Sequence, residues 1–480
     1  MANDEFIGRE RECAQLAPPV AEALAGHGSL VLLAGEAGVG KTTLVRRVLT
    51  GSGLTVLEGF ATAGGASPFG PLVEALRAYL RSADGPIIEG PLAAHLALLL
   101  PELGPAAAEG DPATLFEAIR LAVATIAARQ PTALVLDDLQ WADDATLELL
   151  PALARTLPEQ PLLMLAAYRS DELPRTHPIR RMRSELRRSG HLRQVAVEPL
   201  DAEATAALVD RTLGSAAPTL RRAVFDRTDG IPLYVTELAA ALAASGRLQS
   251  GPAGLELVDG TDVPLPDSVR DAVLLQATGL SDEARTAATA AAVVGQIFDP
   301  ELVRAVAGLD AWPDELLRRG IITEDPAGRM AFRHALVRDA FYSDIPWTTR
   351  VTLHRVVAQR LDTDRAAAAV VAEHWVLGRQ PDRAREALLS AADAFCALHA
   401  YRDGARSFRR ALELWPEGED ERSRLDWLER LARSVELAGD FGEAATVWRE
   451  VAGGRQREGD LLRLGDAERR LAAVLELQGR

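Results

Sequence analysis

The chain has 480 residues, which exceeds the size at which a single hydrophobic core stops growing, so we expect about three or four domains. Hydrophobic residues make up 48% and charged residues 25% of the sequence, proportions that are typical of folded globular proteins and exclude wholesale disorder. The formal net charge of −16 opposes general binding to phosphate backbones and to anionic membranes. Nucleic acid is therefore disfavoured as a partner.

The amino terminus and the cysteines indicate a cytoplasmic protein. The first residues, MANDEFIGRERE, are acidic and polar where a secretory signal needs a basic end followed by an apolar stretch. The apolar runs are too short to span a bilayer, so we expect no membrane partner. Cys13 and Cys396 lie far apart and fit no metal or redox spacing, which indicates free thiols in a reducing compartment.

Five apolar runs before residue 200 alternate with amphipathic stretches of helical period. Each run is continuous and bounded by turn residues, a pattern typical of strands buried in a parallel sheet. Their alternation with helices predicts an α/β domain over residues 1–200, with helices on both faces of the sheet. The runs are SLVLLAG at 29–35, LTVLEGFA at 54–61, TALVLDD at 132–138, PLLMLAAYR at 161–169 and LRQVAVEPL at 192–200.

Beyond residue 200 the strand signals stop and helical periodicity takes over. We expect an all-α lid at 201–248 and then a linker at 249–266, because that segment is rich in Gly, Pro and Asp. Helical patterns followed by two short apolar segments, GIITED and RMAFRH, predict a winged-helix-like module at 267–361.

Residues 366–480 are helical throughout and contain a repeat. Similar segments begin at residues 391, 431 and 471, a spacing of 40, and each of the first two precedes a second helical pattern. Helix pairs at such a period predict an α-solenoid, and the array resembles tetratricopeptide-type repeats. The third segment, LAAVLELQGR, matches the first helix of a pair. We therefore expect further chain or another chain to cover its apolar face.

The segment GEAGVGKTT fits the phosphate-binding loop (P-loop) pattern G-x-x-x-x-G-K-[ST]. An apolar strand precedes it and a helical pattern follows, so backbone N–H groups and a helix amino terminus can converge on phosphate. Lys41 is the single lysine among 53 Lys and Arg residues, and its compact ammonium suits the β- and γ-phosphates of ATP better than a forked guanidinium. The predicted ATP or ADP ligands in this loop are Gly35, Glu36, Ala37, Gly38, Val39, Gly40, Lys41, Thr42 and Thr43.

A second apolar strand, in ALVLDDLQWADD, ends in paired carboxylates. An acidic residue at the end of a strand neighbouring the P-loop can hold hydrated Mg²⁺ with the loop hydroxyl, so we predict Thr42 and Asp137 as the metal site. Asp138 then orients or deprotonates the attacking water. A solvated strand end or a helix cap is the alternative for this pair, and Asp143 and Asp144 fit a cap of the next helix.

Arg169 closes the next apolar run, LLMLAAYRS. In a parallel sheet it emerges at the same edge as the carboxylates, so we predict that it contacts the γ-phosphate and joins Lys41 and Asp138 in catalysis. The alternative is a surface arginine that pairs with Asp171 or Glu172.

Together with the two nucleotide motifs, three further segments resemble the signal-transducing P-loop ATPases called STAND: FIGRERE at 6–12, AAYRSDEL at 166–173 and GIPLYVTEL at 230–238. More narrowly, the chain is similar to the actinobacterial large ATP-binding regulators of the LuxR type, over about residues 4–361. In that family the FxGRE segment and the glycine-x-proline turn close over the adenine. The resemblance implies this role for Phe6, Gly8, Arg9 and Pro232, and an ordinary helix-breaking turn is the alternative for the proline.

The segment FRHALVRDA resembles the MHD motif of nucleotide-binding immune-type receptors, in which a winged-helix histidine touches the β-phosphate of ADP. His334 matches that histidine, whereas Ala335 stands where the motif has aspartate. The resemblance implies that His334 contacts ADP. A core histidine is the alternative.

These features predict a STAND-type switch in which ADP holds a closed state, ATP favours an open state, and slow hydrolysis resets the cycle. We expect the repeats to bind a protein or a small-molecule ligand, and we expect a nucleotide-dependent homo-oligomer. Transcriptional control is implied only by the resemblance, because the helix-turn-helix domain that usually ends LuxR-type regulators is not visible in the last hundred residues.

Two other functions remain open from the sequence. A mechanical ATPase of the AAA or origin-loading type would share the sheet and both nucleotide motifs, although the sequence shows no basic groove for nucleic acid. A non-catalytic scaffold would bind ATP only as a structural ligand.

Overall fold

A computed structural model describes residues 6–479 apart from 63–66, 83–86, 108–110, 172, 245–247, 258–278, 325–327, 364–366, 417 and 419. The chain forms two compact units. The first comprises Met1–Phe60, Ile126–Gln140 and Ala154–Leu353, and the second comprises Ala61–Thr125, Trp141–Leu153 and His354–Arg480.

The strands fall into three sheets. The first contains β1 (Ser29–Gly35), β2 (Thr55–Phe60), β3 (Thr132–Asp137), β4 (Leu162–Arg169) and β5 (Arg193–Ala196). The second is a hairpin of β6 (Leu248–Gly251) and β7 (Gly254–Leu257). The third contains β8 (Ile297–Phe298), β9 (Ile322–Glu324) and β10 (Met330–Phe332).

Helices dominate the rest of the described chain, and none of the described helices is both long and apolar enough to cross a membrane. Up to residue 244 they are α1 (Glu10–Leu24), α2 (Lys41–Leu49), α3 (Gly70–Ser82), α4 (Pro91–Leu96), α5 (Pro112–Arg129), α6 (Asp144–Ala154), α7 (Pro178–Arg188), α8 (Ala202–Leu213), α9 (Pro218–Thr228) and α10 (Pro232–Ala244). From residue 279 they are α11 (Asp282–Val294), α12 (Pro300–Ala307), α13 (Glu315–Arg318), α14 (Ala335–Asp344), α15 (Trp347–Thr363), α16 (Ala368–Leu377), α17 (Pro381–Ala397), α18 (Tyr401–Glu413), α19 (Glu421–Leu437), α20 (Phe441–Glu458) and α21 (Leu461–Leu477).

The five predicted apolar runs form one parallel sheet in the order β2-β3-β4-β1-β5. The predicted fold class is confirmed: a P-loop NTPase-like parallel sheet with flanking helices, followed by many further helices. β4 lies between β1 and β3. One strand therefore separates β3, which ends in the paired carboxylates, from β1, which leads into the P-loop. At the edge where β1 and β4 end, Gly35 pairs in register with Arg169.

The position of each strand in the sheet follows its hydropathy. β1, β3 and β4 are buried along nearly their whole length, as central strands of a covered parallel sheet must be. β5 lies at an edge and exposes Arg193 and Gln194. Apolar side chains of α1, α2 and the sheet form one core, which includes Leu16, Val31, Leu44, Val135 and Leu163.

Helices α8, α9 and α10 occupy the segment predicted as a helical lid and share a core that includes Leu208, Val224 and Val235. We call this segment the lid, and its role remains a prediction. The hairpin β6–β7 joins this lid, because Leu255 accepts a hydrogen bond from Ala217 N at 2.8 Å and packs against the lid core. It occupies the first part of the segment whose composition predicted a linker, and 258–266 lie outside the described residues. Leu248 and Leu255, one on each strand of the hairpin, are partly buried against the lid core, which explains this difference.

Residues 279–363 contain the third sheet and helices α11 to α15. β10 pairs antiparallel with both β8 and β9, so the two segments predicted as a hairpin are adjacent strands. The rings of Phe298, Phe332 and Phe341 form the centre of this region, with ring centroids 5.7 and 6.1 Å apart along the series. The winged-helix assignment remains a prediction.

The helical repeat has the predicted period. Helices α17, α19 and α21 begin at residues 381, 421 and 461, and α18 and α20 begin at 401 and 441. Consecutive helices share one apolar core that includes Leu388, Phe408, Leu428, Trp448 and Val474. Helix pairs at a spacing of 40 are thus present, while the tetratricopeptide assignment remains a prediction.

In the second unit, a carboxylate of the repeats caps the helix α6. Asp403 accepts hydrogen bonds from Asp144 N at 3.0 Å and from Ala145 N at 3.2 Å, which are first-turn amides with no intrahelical acceptor. Asp143 is a second cap, since it accepts a hydrogen bond from Thr146 N at 2.8 Å. The capping role predicted for Asp143 is confirmed.

Burial raises the pKa of Asp403 to about 8, and the neighbouring carboxylates of Asp143 and Asp144 act in the same direction. The guanidinium of Arg406, which also pairs with Asp144, opposes this increase. The ionised form of Asp403 is therefore less favoured in the folded protein than in the unfolded chain.

This carboxyl group makes the second unit less stable as the pH rises. Because the folded pKa exceeds the unfolded one, its contribution is fully present below about pH 4 and declines by up to about 1.4 kcal/mol per pH unit until about pH 8. Asp403→Asn removes the ionisable group. The thermal midpoint of the variant should therefore rise relative to that of the wild type as the pH increases from about 4 to about 8. Asp382→Asn, at an exposed position, is the control. Parallel midpoint curves for Asp403→Asn and the wild type would contradict the assignment.

Candidate functional site

The P-loop connects the end of β1 to the start of α2 in the way that phosphate binding requires. Gly40 precedes the helix with φ of +98°, a left-handed conformation that glycine adopts without strain, and no side chain caps the helix amino terminus. The amides of Lys41, Thr42 and Thr43 have no intrahelical acceptor at this end of α2. They are donors available to an anion, and the helix dipole favours the same charge.

Lys41 closes the loop on itself in this structure. Its Nζ donates hydrogen bonds to Gly35 O and Glu36 O, each at 2.9 Å. Burial lowers the pKa of Lys41 below its ordinary value, and the carboxylates of Asp137 and Asp138 oppose that shift. A phosphate between these groups would replace two carbonyl dipoles by a full negative charge, which strengthens the interaction of the ammonium.

Asp137 and Thr42 meet at the end of β3. The Thr42 hydroxyl donates to Asp137 Oδ2 at 2.5 Å, and Asp138 N donates to Asp137 Oδ1 at 2.8 Å. Burial and the charge of Asp138 raise the pKa of Asp137, so a cation here would stabilise its ionised form. A hydroxyl and a buried carboxylate side by side fit the oxygen ligands that Mg²⁺ prefers.

Arg169 lies beside the predicted base. Its Nε is 3.4 Å from Asp138 Oδ1, and its side chain is buried, with 7% exposed. The structure therefore brings Arg169 to the carboxylate edge, where it is buried and not exposed, and its contact with the γ-phosphate remains a prediction. Asp138 itself has φ of +54°, which turns the chain out of β3.

Two residues that the sequence reasoning missed support Asp138. Gln140 Nε2 donates to Asp138 Oδ1 at 2.8 Å, and Gln140 Oε1 accepts from Arg169 N at 3.0 Å. His177 contacts the Gln140 carbonyl oxygen through its Nε2 at 3.0 Å. The only sequence signal for Gln140 is its place two residues after Asp138, and His177 carries none.

The amino-terminal segment contacts the P-loop through Arg9. Its guanidinium donates to Val39 O at 2.9 Å, to Glu198 O at 2.6 Å and to Glu12 at 2.9 Å. Phe6 packs against the apolar core of the sheet. Gly8 lies against α8, where an added Cβ would meet the Ala204 Cβ at 2.5 Å. The segment is therefore part of the site, and the adenine contact implied by the resemblance remains a prediction.

The lid also contacts the P-loop, at the carbonyl next to the one that Arg9 contacts. Pro232 begins α10, and Leu233 N donates to Gly38 O at 3.2 Å. Gly230 is packed so closely that a Cβ would lie 1.9 Å from Leu200 O, which explains the glycine of the turn. Tyr234 lies in the same turn and helix, and burial raises the pKa of its hydroxyl, with the charges of Asp171 and Glu36 acting in the same direction and that of Arg169 opposing them.

His334 is partly buried at the amino terminus of α14. Burial lowers its pKa to about 4, and the neighbouring charge of Arg333 acts in the same direction. The ring is neutral at pH 7. Among the described residues no hydrogen bond joins His334 to the P-loop, so its contact with ADP remains a prediction.

Lys41 should dominate the affinity for ATP. Lys41→Ala removes charge-assisted bonds in a partly desolvated site, so we expect ATP binding to weaken by about 3 kcal/mol, or roughly a hundredfold. Isothermal titration calorimetry measures the change. Arg46→Ala, which removes an exposed cation from the same helix, is the matched control and should leave the affinity within about twofold. Equal ATP affinity for Lys41→Ala and the wild type would contradict the role.

Comparison with known proteins supports the prediction of an ATPase domain at the amino-terminal end of the chain. Residues 5–165 match the family described as AAA ATPase domain. A curated protein of Rhizobium meliloti (strain 1021), described as uncharacterized, is 27% identical over 418 residues. That match covers 77% of this chain and 39% of the relative, so the chain spans less than half of the relative's length.

Solved structures with some likeness include a Signal Transduction ATPase with Numerous Domains (STAND) protein with a tetratricopeptide repeat sensor from Pyrococcus horikoshii. Its TM-score is 0.45 at 13% identity, over 99% of this chain and 77% of that one. A Walker-type ATPase of Pyrococcus abyssi has a TM-score of 0.39 at 14% identity, over 71% of this chain and 97% of that one. With the family match and the P-loop geometry together, residues 5–165 carry an AAA-type P-loop ATPase domain, for which ATP is the ligand.

Proposed function

We propose that the chain is an ATP- and ADP-dependent switch of the STAND type, whose helical repeats bind a protein or small-molecule ligand. The observation that carries the proposal is that the P-loop is bonded on two sides by segments outside the sheet. Arg9 donates to Val39 O and Leu233 N donates to Gly38 O. A phosphate that reshapes this loop changes both contacts, and the lid and the amino-terminal segment respond.

The energies involved suit a switch. Each neutral hydrogen bond contributes about 1 kcal/mol and each charge-assisted bond about 1.5 to 3 kcal/mol. A difference of this size between the ADP and ATP complexes shifts a two-state equilibrium by about tenfold to a thousandfold. The switch therefore needs no contacts beyond those at Gly38 and Val39.

Hydrolysis resets the switch. The oxygen of a water molecule bonds to the γ-phosphorus, the bond to the β–γ bridging oxygen breaks, and its electron pair stays on ADP. Asp138 accepts the proton that the water loses and later releases it to solvent. Mg²⁺, when bound, neutralises charge on the β- and γ-phosphates. Arg169, whose Nε lies 3.4 Å from Asp138 Oδ1, is close enough to this carboxylate to contact the γ-phosphate beside it.

A mechanical ATPase and a non-catalytic scaffold would have the same nucleotide site. The negative net charge of the chain argues against a mechanical ATPase that grips nucleic acid. A mechanical ATPase that grips a duplex needs a basic surface, whereas this chain carries a formal net charge of −16. A scaffold would bind ATP without changing the contacts of Gly38 and Val39. Membership of the LuxR type, transcriptional control and a nucleotide-dependent homo-oligomer rest on the sequence resemblance.

Hydrogen exchange under two nucleotide conditions tests the switch. Amides of Gly230–Leu238 and of the hairpin β6–β7 should differ in exchange rate between ADP and a non-hydrolysable ATP analogue, because the lid responds to the γ-phosphate. In Lys41→Ala the difference should disappear. Equal exchange with both nucleotides would overturn the switch in favour of a scaffold, and turnover stimulated by duplex DNA would favour the mechanical ATPase.

His334 supplies a second test of the closed state. Its pKa of about 4 reflects burial without a counter-charge, so an ADP β-phosphate beside the ring should raise that pKa by one unit or more. Nuclear magnetic resonance titration of the ring signals with and without ADP measures this, and His334→Ala identifies the signal. His334→Ala should also release ADP about tenfold to a hundredfold faster. An unchanged pKa with ADP bound would make His334 a core histidine.

A further inference from the structure

We propose that Gln140 is a positioning residue for ATP hydrolysis: its side-chain amide fixes the carboxylate of Asp138 in the orientation in which that carboxylate takes a proton from water. The inference rests on the proposed function, in which Asp138 is the base. It goes beyond it by assigning a task to a side chain for which the nucleotide motifs predict none. Gln140 is buried, with 7% of its surface exposed.

Gln140 completes the sheet at the point where β3 ends. The register of β3 with β4 stops at Leu136 and Ala166, and the chain then leaves the sheet at Asp138. β4 continues to Arg169, whose amide therefore lies past the last paired residue of β3. Gln140 Oε1 accepts that amide at 3.0 Å, so a side-chain carbonyl takes the place of a missing backbone carbonyl.

This bond fixes which way the amide of Gln140 points. Oε1 must face the Arg169 amide, so Nε2 faces Asp138 Oδ1, to which it donates at 2.8 Å. The opposite orientation would set two N–H groups against each other and an amide oxygen against a carboxylate oxygen. The backbone of β4 thus determines the side chain of Gln140, which in turn orients Asp138.

The backbone of Gln140 is held as well. His177 Nδ1 accepts a hydrogen bond from Ile179 N at 3.2 Å, so this nitrogen carries no proton. Nε2 is therefore the nitrogen that carries the proton, and it donates to Gln140 O at 3.0 Å. Both ends of Gln140 are thus bonded, one to the start of α7 and one to the end of β4.

The hydrogen bond from Gln140 occupies one carboxylate oxygen of Asp138 and leaves the other available to accept a proton. Asp138 Oδ1 receives Gln140 Nε2 and lies 3.4 Å from Arg169 Nε. Asp138 Oδ2 accepts no hydrogen bond within the part of the chain that the structure describes. Oδ2 is therefore the atom that takes the proton of the attacking water, and the amide of Gln140 keeps the carboxylate from rotating.

Two substitutions at one position separate orientation from packing. Gln140→Glu keeps an acceptor for the Arg169 amide but sets a second carboxylate against Asp138, and the two then share a proton. We expect kcat at pH 7 to fall about tenfold to a hundredfold, and the acid limb of the kcat profile to move up by about one pH unit. Gln140→Met removes both bonds, so kcat should fall about tenfold with the limb unchanged, and the Arg169 amide should exchange faster.

Binding should be preserved in both variants, because Lys41 and the loop amides hold the phosphates. We expect the KM for ATP and the calorimetric affinity to stay within about twofold, which also shows that the variants fold. Gln194→Glu makes the same chemical change at an exposed position of β5 and should match the wild type in every measurement.

The outcomes separate this inference from the proposed function. If the pH profile of kcat for Gln140→Glu coincides with that of the wild type, the positioning role is wrong. It is also wrong if the wild type hydrolyses ATP no faster than Lys41→Ala does. Neither result touches the nucleotide-dependent exchange of the lid, which tests the switch. A parallel loss of affinity and kcat in both variants would make Gln140 a packing residue only.

Discussion

The parallel pairing of β1, β3 and β4 is the constraint on which the nucleotide site depends. Parallel strands end at one edge of a sheet, so Gly35, Asp137 and Arg169 are brought together although they are far apart in the chain. The insertion of β4 between β1 and β3 then sets Arg169 beside Asp138, while Asp137 still reaches Thr42. Altering the strand order would separate these groups even if every motif were kept.

Two hydrogen bonds among the described residues join the P-loop to segments outside the sheet, as the proposed switch requires. Arg9 and Leu233 each contact a carbonyl of the loop, from the amino-terminal segment and from the lid. Bonds of one to a few kcal/mol are strong enough to hold one state and weak enough for a nucleotide to reverse. A larger interface would fix the lid whatever the nucleotide.

The second unit depends on buried charges as well as on its apolar core. Arg455 is fully buried in α20 and bonds to Glu429 at 2.8 Å and to Glu458 at 2.9 Å, with Asp426 as a third partner. Such a cluster adds little net stability, because desolvation offsets the attraction, but loss of one partner is costly. The cluster links α19 to α20, because Asp426 and Glu429 lie in the first of these helices and Arg455 in the second.

The sequence by itself determined the five strands, the helical period of 40 and the glycine loop with its single lysine, because each is a local pattern of hydropathy, spacing or residue type. It also indicated Asp137 and Asp138, since a strand end is visible in the run of letters. Only the tertiary structure decided that β4 separates β1 from β3, that a hairpin packs on the lid, and that Gln140, His177 and Asp403 matter. Their roles arise from contacts between residues distant in the chain, and a buried hydrogen bond across such a distance leaves no periodic trace in the sequence.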